Sequence, residues 1–315
     1  MTKVKKDAVM RNLIAAAVLA PLVVLAGCSD SSNFLGLKAS KGIVYDGYLA
    51  GAKVCVDEIT NRQCDDPPEP ATFTDSEGGF QLTALTPEQA RYPLVAEVVP
   101  GTIDLDTGLL APAGLKYLAP AGSTAISAFS TIIQIRIENE IAAGLDLIPV
   151  SVPTLAVLKA NAIAALATEL GLPSGTDLTR YDPIAVKNNA SRSPADRTTA
   201  AQLHIANRIL SAQIAEFLPL ALANADPGEE SAAYAALLNN LDVSQVLDDV
   251  QAATAATTLN DLVDPLFDID TVPTADPAVP TAGEIDGQFF NDGNVLRAFT
   301  ALIEGTPPIT GATGG

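Results

Sequence analysis

The spacing of apolar residues changes near residue 122, from a period of two to a period of about 3.6, and this change constrains the fold most. Before it, the segments GIVYDGYLAGAKVCVD and ATFTDSEGGFQLTAL alternate apolar and polar side chains, which is typical of half-buried strands. After it, apolar residues recur every three or four positions, as in amphipathic helices. The pattern predicts a multidomain α+β protein, with a small β-sandwich over residues 41–121 and an all-α helical bundle over residues 122–305.

Turn residues separate the predicted strands. Asp75 and Gly78 bracket a turn, since aspartate can bond to the turn backbone and glycine tolerates positive φ. A third β-branched run, YPLVAEVVPG, follows. The segment TIDLDTG places Asp104 and Asp106 on one side of a strand, where two carboxylates could serve as acid and base. Because no nucleophile or cation accompanies them, we expect a solvated strand face.

The second half of the chain predicts a series of helices. Their expected ranges are residues 123–144, 154–171, a helix beginning at Ser193-Pro194, 229–240, 244–262 and 294–304. Serine is favoured as an N-cap and proline in the first helical turn, so Ser193 should cap its helix. An irregular segment rich in proline and aspartate covers residues 264–287, and residues 306–315 form a flexible tail.

The N-terminus has the pattern of an export signal. Basic residues precede an apolar stretch from Leu13 to Ala26, which is short for a membrane span. The end of this stretch, LAGC, resembles the lipobox of bacterial lipoproteins. The resemblance implies a signal peptide over residues 1–27, a lipid on Cys28 and a tether over residues 28–40. Ser29 follows the cysteine where aspartate would favour the inner membrane, so the resemblance implies the outer membrane.

Export also bears on the two remaining cysteines. In an oxidising compartment, Cys55 and Cys64 are expected to form a disulfide. A loop of this length contributes roughly 2.5–3 kcal/mol by chain entropy. Two thiolates alone make a poor zinc site, and the single histidine, His204, is remote in sequence.

Several short motifs in the first half share an order found in a known family. They are GIVYDG at 42–47, LAGAKV at 49–54, TD at 74–75 with GF at 79–80, and YPLV at 92–95. Together they resemble a carboxypeptidase-regulatory or Cna-B domain, which implies a prealbumin-like β-sandwich that acts as spacer, stalk or binding module. The segments ISAFSTIIQ and LGLPSGTDLTRYDP are similar to the helical part of some exported lipoproteins of unknown function.

The acidic segment VCVDEITNRQCDDPPEP admits two interpretations. It resembles a variant of that family, CxDxNxNxxCDxxEP, whose oxygens look like a calcium loop. The resemblance implies calcium ligands at Asp57, Asn61, Asp65 and Glu69. The segment departs from the pattern, because Ile59 and Thr60 stand where asparagine is expected. No glycine provides the sharp turn at Arg62. The second interpretation is an acidic loop closed by a disulfide, with no metal and no other cofactor.

Composition excludes some classes of partner. The net charge of −19 argues against phosphate-mediated binding of nucleic acid. The chain has no tryptophan and only 5% aromatic residues, so a stacking platform for bases or sugars is not expected.

No motif for catalysis is present: there is no nucleophile elbow, phosphate-binding loop or HExxH. His204 is interpreted as a structural or surface residue, and the Arg180-Tyr181-Asp182 cluster as a turn containing an Arg–Asp pair. A non-enzyme is therefore expected. A hydrolase that uses two carboxylates is the alternative, since such pairs need no motif.

These observations predict a lipid-anchored protein of the cell envelope that acts as a non-enzymatic structural or interaction module. Its expected partners are the membrane, through the lipid, and an unidentified envelope protein. The alternative is a carrier of an apolar ligand, such as a fatty acid or an alkane, in the helical half. A cavity of several hundred Å³ lined by isoleucine, leucine and phenylalanine would favour the carrier.

Overall fold

The computed structural model describes residues 37–65, 67, 69–145, 154–288 and 293–304 of the 315-residue chain. Cys28, the signal segment, most of the tether and the C-terminal tail lie outside these ranges. Within them, strands lie mainly before residue 127 and helices after it, so the protein is of mixed α+β class, as the sequence predicts.

The strands are short and most belong to the first half. Their bounds are β1 Lys38–Val44, β2 Leu49–Ala50, β3 Lys53–Val56, β4 Ala71–Phe73, β5 Gly79–Leu85, β6 Leu94–Glu97, β7 Ile103–Asp104, β8 Leu109–Leu110, β9 Lys116–Ala119 and β10 Ala125–Ile126. They form a four-stranded antiparallel sheet ordered β4-β3-β6-β9 and two three-stranded sheets, ordered β10-β1-β5 and β2-β7-β8. The predicted turn is confirmed: Asp75 accepts bonds from Glu77 N and Gly79 N, and Gly78 has a φ of 77°.

The helices begin with α1. Their bounds are α1 Ala128–Leu145, α2 Leu155–Glu169, α3 Pro183–Asn188, α4 Pro194–Ala223, α5 Glu230–Asn239, α6 Val243–Thr254, α7 Leu259–Leu262, α8 Ala282–Asp286 and α9 Gly293–Glu304. Ser193 caps α4 by accepting a bond from Asp196 N, as predicted. None of the helices within the described ranges combines the length and the apolar character that crossing a membrane requires.

Two predicted helices need correction. The helix expected from residue 123 begins at Ala128, because the preceding residues are drawn into β10, which pairs in parallel with β1. Tertiary pairing with β1 thus outweighs the helical pattern at Ile126. The helix expected over residues 244–262 is divided into α6 and α7, since the Thr258 side chain caps a new helix by accepting a bond from Asp261 N.

Helix α1 is buried on more than one side. The predicted apolar stripe, which includes Ile133 and Ile137, is buried, but so are Ile132 and Ile135 on other sides of the helix. One side packs on β9, where the Ser130 hydroxyl donates to the Leu118 carbonyl, and other sides meet α2, α5 and α9. A helix with apolar residues on several sides is expected to be largely buried, and α1 lies between the sheet and the other helices, with Asn139 and Glu140 exposed.

The hydrophobic core is continuous across residue 121. One cluster of buried side chains includes Val54 and Val95 from the strands together with Ile133 from α1 and Leu210 from α4. A smaller cluster around Phe217 joins α4, α5 and α8. Strands and helices therefore share one interior, and sites at their junction are held from both sides.

Candidate functional site

A cavity of about 380 Å³ lies between α1, α2, α9 and the short turn before β6. Its wall is mainly apolar, with large side chains from three helices: Ile137, Leu155, Phe299, Leu302 and Ile303. The volume falls within the range of small-molecule sites, about 300–1,000 Å³. The cavity therefore meets the size and lining expected of a site for an apolar ligand.

Helical periodicity places these side chains in the wall. On α9, Leu302 and Ile303 lie three and four positions after Phe299, so both share a face with it. On α2, Leu155 and Lys159 are four residues apart and both line the cavity. The sequence predicted both helices, but it could not predict that their faces would leave a space.

Two cations line the same cavity. Lys159 Nζ donates to the carbonyl of Ala121 at 2.7 Å, and Arg91 Nη1 donates to the carbonyl of Glu304 at 3.3 Å. Neither forms an ion pair with a carboxylate within the part of the chain that the structure describes. Burial lowers the pKa of Lys159, although Asp177 acts in the opposite direction.

The buried side of the cavity is polar at one position, Gln134. Its amide donates to Glu138 Oε1 at 2.8 Å, and Glu138 in turn pairs with Arg62. Arg62 also donates to the carbonyl of Ser231 at the start of α5. The acidic loop between β3 and β4 is thus attached to α1 and α5 behind the cavity.

The sulfurs of Cys55 and Cys64 lie 2.17 Å apart, with their Cα atoms 5.6 Å apart. They connect β3 to the acidic loop. The backbone N–H of Cys64 donates to the Glu97 carboxylate on β6 at 3.0 Å, which fixes the loop against the sheet.

The candidate calcium ligands come together in this loop, but their oxygens bond within it. Asp57 accepts bonds from Asn61 N at 2.9 Å and Arg62 N at 3.0 Å. Glu69 accepts from Asp65 N at 3.0 Å and also from Ile59 N, and the Asn61 amide donates to Asp65. Asp66 and Pro68, in the same loop, lie outside the description.

These hydrogen bonds satisfy carboxylate oxygens that a bound cation would otherwise contact. Thr60 and Arg62 adopt φ of 57° and 60°, so the loop turns without the glycine of the related pattern. Burial raises the pKa of Asp57 to about 7, against the lowering effect of its two backbone bonds. Among the residues described, no group of three or more His, Cys, Asp or Glu is placed to hold a metal. The structure therefore describes a loop closed by the two cysteines and by its own hydrogen bonds, and the calcium interpretation stays a prediction.

A second concentration of charge, which we call the His204 cluster, lies where strands meet helices. It comprises Asp46 on the β1–β2 turn, Asp104 and Asp106 in the β7–β8 hairpin, Lys187 on α3 and His204 on α4. Lys187 Nζ lies 2.8 Å from His204 Nδ1, and His204 Nε2 lies 2.8 Å from the carbonyl of Asp46 and 3.1 Å from Asp106 Oδ2.

This arrangement assigns the ring protons. An ammonium can only donate, so Nδ1 of His204 accepts from Lys187 and Nε2 carries the hydrogen. Burial lowers the pKa of His204, and the hydrogen bond to Asp106 opposes that effect. Burial raises the pKa of Asp46 to about 8, reinforced by Asp104. The imidazole is therefore neutral and Asp46 retains its proton at neutral pH.

Close packing at Gly47 keeps the cluster together. A Cβ atom there would lie 2.0 Å from Asp104 Oδ1, so only glycine lets the turn approach the hairpin. Nearby, the Tyr48 hydroxyl donates to Asp182 at 2.7 Å, and the Asn207 amide donates to the Tyr45 carbonyl at 3.4 Å. The β1–β2 turn is thus bonded to both α3 and α4.

The cluster is enclosed rather than open to a substrate. The side chains of His204 and Asp106 are only 2% and 8% exposed. The expectation of a solvated Asp104–Asp106 face is therefore wrong for Asp106, because the chain turns after Asp104 and directs Asp106 to His204. Within the described residues of this cluster, Asp106 is enclosed and does not face an open cleft.

The Arg180-Tyr181-Asp182 segment differs in detail from its prediction. Arg180 pairs with Asp177 at 3.6 Å, and Asp182 instead caps α3 by accepting from Ala185 N at 2.8 Å. Sequence reasoning missed α3 and the role of Lys187. The Asp182-Pro183 pair was the signal that could have indicated a helix start.

Comparison of the chain with protein-family models, with curated protein sequences and with solved structures found no match.

Proposed function

We propose that this chain is a lipid-anchored protein of the cell envelope that binds an apolar ligand in the cavity between α1, α2 and α9. The observation that carries the proposal is the cavity itself, about 380 Å³ with a wall built from isoleucine, leucine and phenylalanine. A tightly packed interior between these helices would have contradicted the proposal of ligand binding. No catalysis is part of the proposal, and binding is its activity.

The proposed lipid anchor and the proposed location rest on the sequence. The export pattern and the LAGC motif support cleavage before Cys28, lipid attachment to it and the outer membrane as destination. The residues up to 40 then tether the folded part to the bilayer. We also propose that the strands before residue 121 form a prealbumin-like β-sandwich, which the sheets β4-β3-β6-β9 and β10-β1-β5 support. The contacts of α1 with α2, α5 and α9 support a helical bundle.

Blocking the cavity tests the binding function. Ala156 lines the cavity from an exposed position on α2, so Ala156→Phe should fill the space without disturbing the core. Ala165→Phe is the matched control, because Ala165 is also exposed on α2 and does not line the cavity. Calorimetry with dodecanol should show binding to the wild type and the control and at least tenfold weaker binding to Ala156→Phe. Equal binding by all three proteins would place the ligand elsewhere, and no binding by any would refute the function.

A Cys28→Ala variant tests the anchor. Mass spectrometry of the wild-type N-terminus should find an acylated cysteine, and fractionation should find the wild-type protein in the membrane. The variant should lose the lipid and leave the membrane fraction. A wild-type chain that remains in the soluble fraction with unmodified Cys28 would refute this part.

A second candidate function, an interaction module, is favoured by one surface. Leu109 and Leu110 of β8 are 68% and 69% exposed, and Leu105 on the same hairpin is partly exposed. Adjacent exposed leucines are typical of protein contacts. A photo-crosslinker at Leu110 in the native host should capture one defined partner, whereas one at the exposed Asp248 should not. Identical patterns at both positions would contradict it.

A further inference from the structure

We infer that the ligand of this cavity is an anionic amphiphile, a single aliphatic chain with a carboxylate, and that Lys159 and Arg91 select the carboxylate. The inference rests on the proposed function and goes one step further, since the apolar wall alone would accept an alkane or an alcohol equally well.

The distribution of charge is the first argument. The chain has 18 basic and 37 acidic residues, so a cation has many acidic side chains available to it. Two buried or half-buried arginines use them, since Arg62 pairs with Glu138 and Arg136 pairs with Glu169. The half-buried Arg197 and Arg208 bond to backbone carbonyls within the described ranges, but neither lines the cavity. Lys159 and Arg91, which line one cavity, bond only to backbone carbonyls within the described ranges.

The position of Lys159 is the second argument. It lies one helical turn after Leu155, so its aliphatic stem can follow the apolar wall while its ammonium stays at the Ala121 carbonyl. An ammonium has three donors, and one is used there. Burial removes part of its hydration, and a carboxylate ligand would compensate through charge-assisted hydrogen bonds.

The position of Arg91 is the third argument. It is exposed, on the turn Gln89–Arg91, and its guanidinium bonds to the last residue of α9, Glu304, with one of five donors. The cavity thus has an apolar interior from the helices, a half-buried ammonium on α2 and a guanidinium at the exposed side. That order of environments matches an aliphatic chain followed by an anionic head group.

Binding of dodecanoate, dodecanol and dodecyl phosphate to the full-length protein tests the inference. Wild type should bind dodecanoate on the order of tenfold more tightly than dodecanol, as one charge-assisted hydrogen bond predicts. Binding of dodecanol as tight as dodecanoate would overturn the inference and leave the proposed function intact. Tighter binding of dodecyl phosphate would overturn the carboxylate assignment. No binding of any of the three compounds would refute the proposed function as well.

Variants assign the preference to the two cations. Lys159→Met should lose most of the preference for dodecanoate and change dodecanol affinity less than about twofold, whereas Lys159→Arg, which keeps the charge, should retain it. Arg91→Met should reduce the preference by a smaller factor, because its head is exposed. The controls are Lys38→Met and Arg192→Met, both exposed and outside the cavity. Equal weakening of both ligands by Lys159→Met, or loss of the preference in the controls, would contradict the assignment.

Discussion

The cavity and the His204 cluster both contain a lysine whose pKa is lowered, but the bonding partners of the two lysines differ. Lys187 is 2% exposed and bonds to His204, with Asp106 acting on its charge. Lys159 is half-buried, lines the cavity and, among the residues that the structure describes, bonds to the Ala121 carbonyl. In the cluster the protein supplies the compensating groups, so the contact is structural. In the cavity Asp177 acts on the charge of Lys159, but no carboxylate of the described residues forms an ion pair with it, which leaves the ammonium available to an anionic ligand.

The largest expected effect of a single substitution at constant pH comes from replacing the two lysines in turn. Lys187→Met removes the donor to His204 Nδ1 and one of the cations that act on Asp106, Arg208 being another, so the free energy of unfolding should fall by about 3 kcal/mol. Lys159→Met should change it by less than about 1 kcal/mol, since relief of burial offsets one lost hydrogen bond. Urea denaturation of both variants measures the difference. Equal losses would mean that both lysines are structural.

Removal of the disulfide ranks next. The Cys55→Ala, Cys64→Ala double variant opens a loop with a sequence separation of 9. The free energy of unfolding should fall by roughly 2.5–3 kcal/mol, because the unfolded chain gains freedom. This loop carries Arg62, which pairs with Glu138 behind the cavity. The affinities for dodecanoate and for dodecanol should therefore both fall, while the ratio of the two affinities, the preference for dodecanoate, changes less. A change in that preference would show that the loop, rather than Lys159, sets selectivity.

The pH dependence separates the two regions in a third way. Asp46 has a folded pKa of about 8, above its usual value of 3.8, so the folded state binds more protons in between. Its contribution to stability is therefore present at low pH and is lost as the pH rises from about 4 to about 8, by up to about 1.4 kcal/mol per unit.

Asp46→Asn isolates this contribution from His204, whose lowered pKa has the opposite sign: its contribution is lost as the pH falls through 6.5. The stability of the variant relative to wild type should rise from pH 5 to pH 8, as followed by thermal and urea unfolding. A constant difference would show that Asp46 ionises normally. Dodecanol binding should not change over this range, because Asp46 does not line the cavity.

The smallest effect is expected at the start of α4. Ser193→Ala removes the side-chain bond to Asp196 N and should cost about 1 kcal/mol. Helix α4 carries His204 but does not line the cavity, so stability should fall while both ligand affinities stay the same. A parallel loss of affinity would show that the two regions are coupled through the shared core.

Much of the local structure could be predicted from the sequence. The turn at Asp75, the run that became β6, the cap at Ser193 and the starts of α2 and α9 follow from side-chain periodicity and turn chemistry, which act over a few residues. The prediction failed at Ile126, where pairing with β1 overrides the helical period. It failed again at Asp106 and His204, which are 98 positions apart in the numbering and touch only because a hairpin and a helix pack together.

The sequence by itself determined most of the local elements and the net negative charge, because periodicity and charge are read along the chain. The short N-terminal pattern supports the proposal of export. Only the tertiary structure decided that α1, α2 and α9 leave a cavity, that Lys159 lines it, and that Lys187 and His204 form a hydrogen bond. The physical reason is that burial and compensation of charge depend on residues far apart in sequence, and those distances are set by packing.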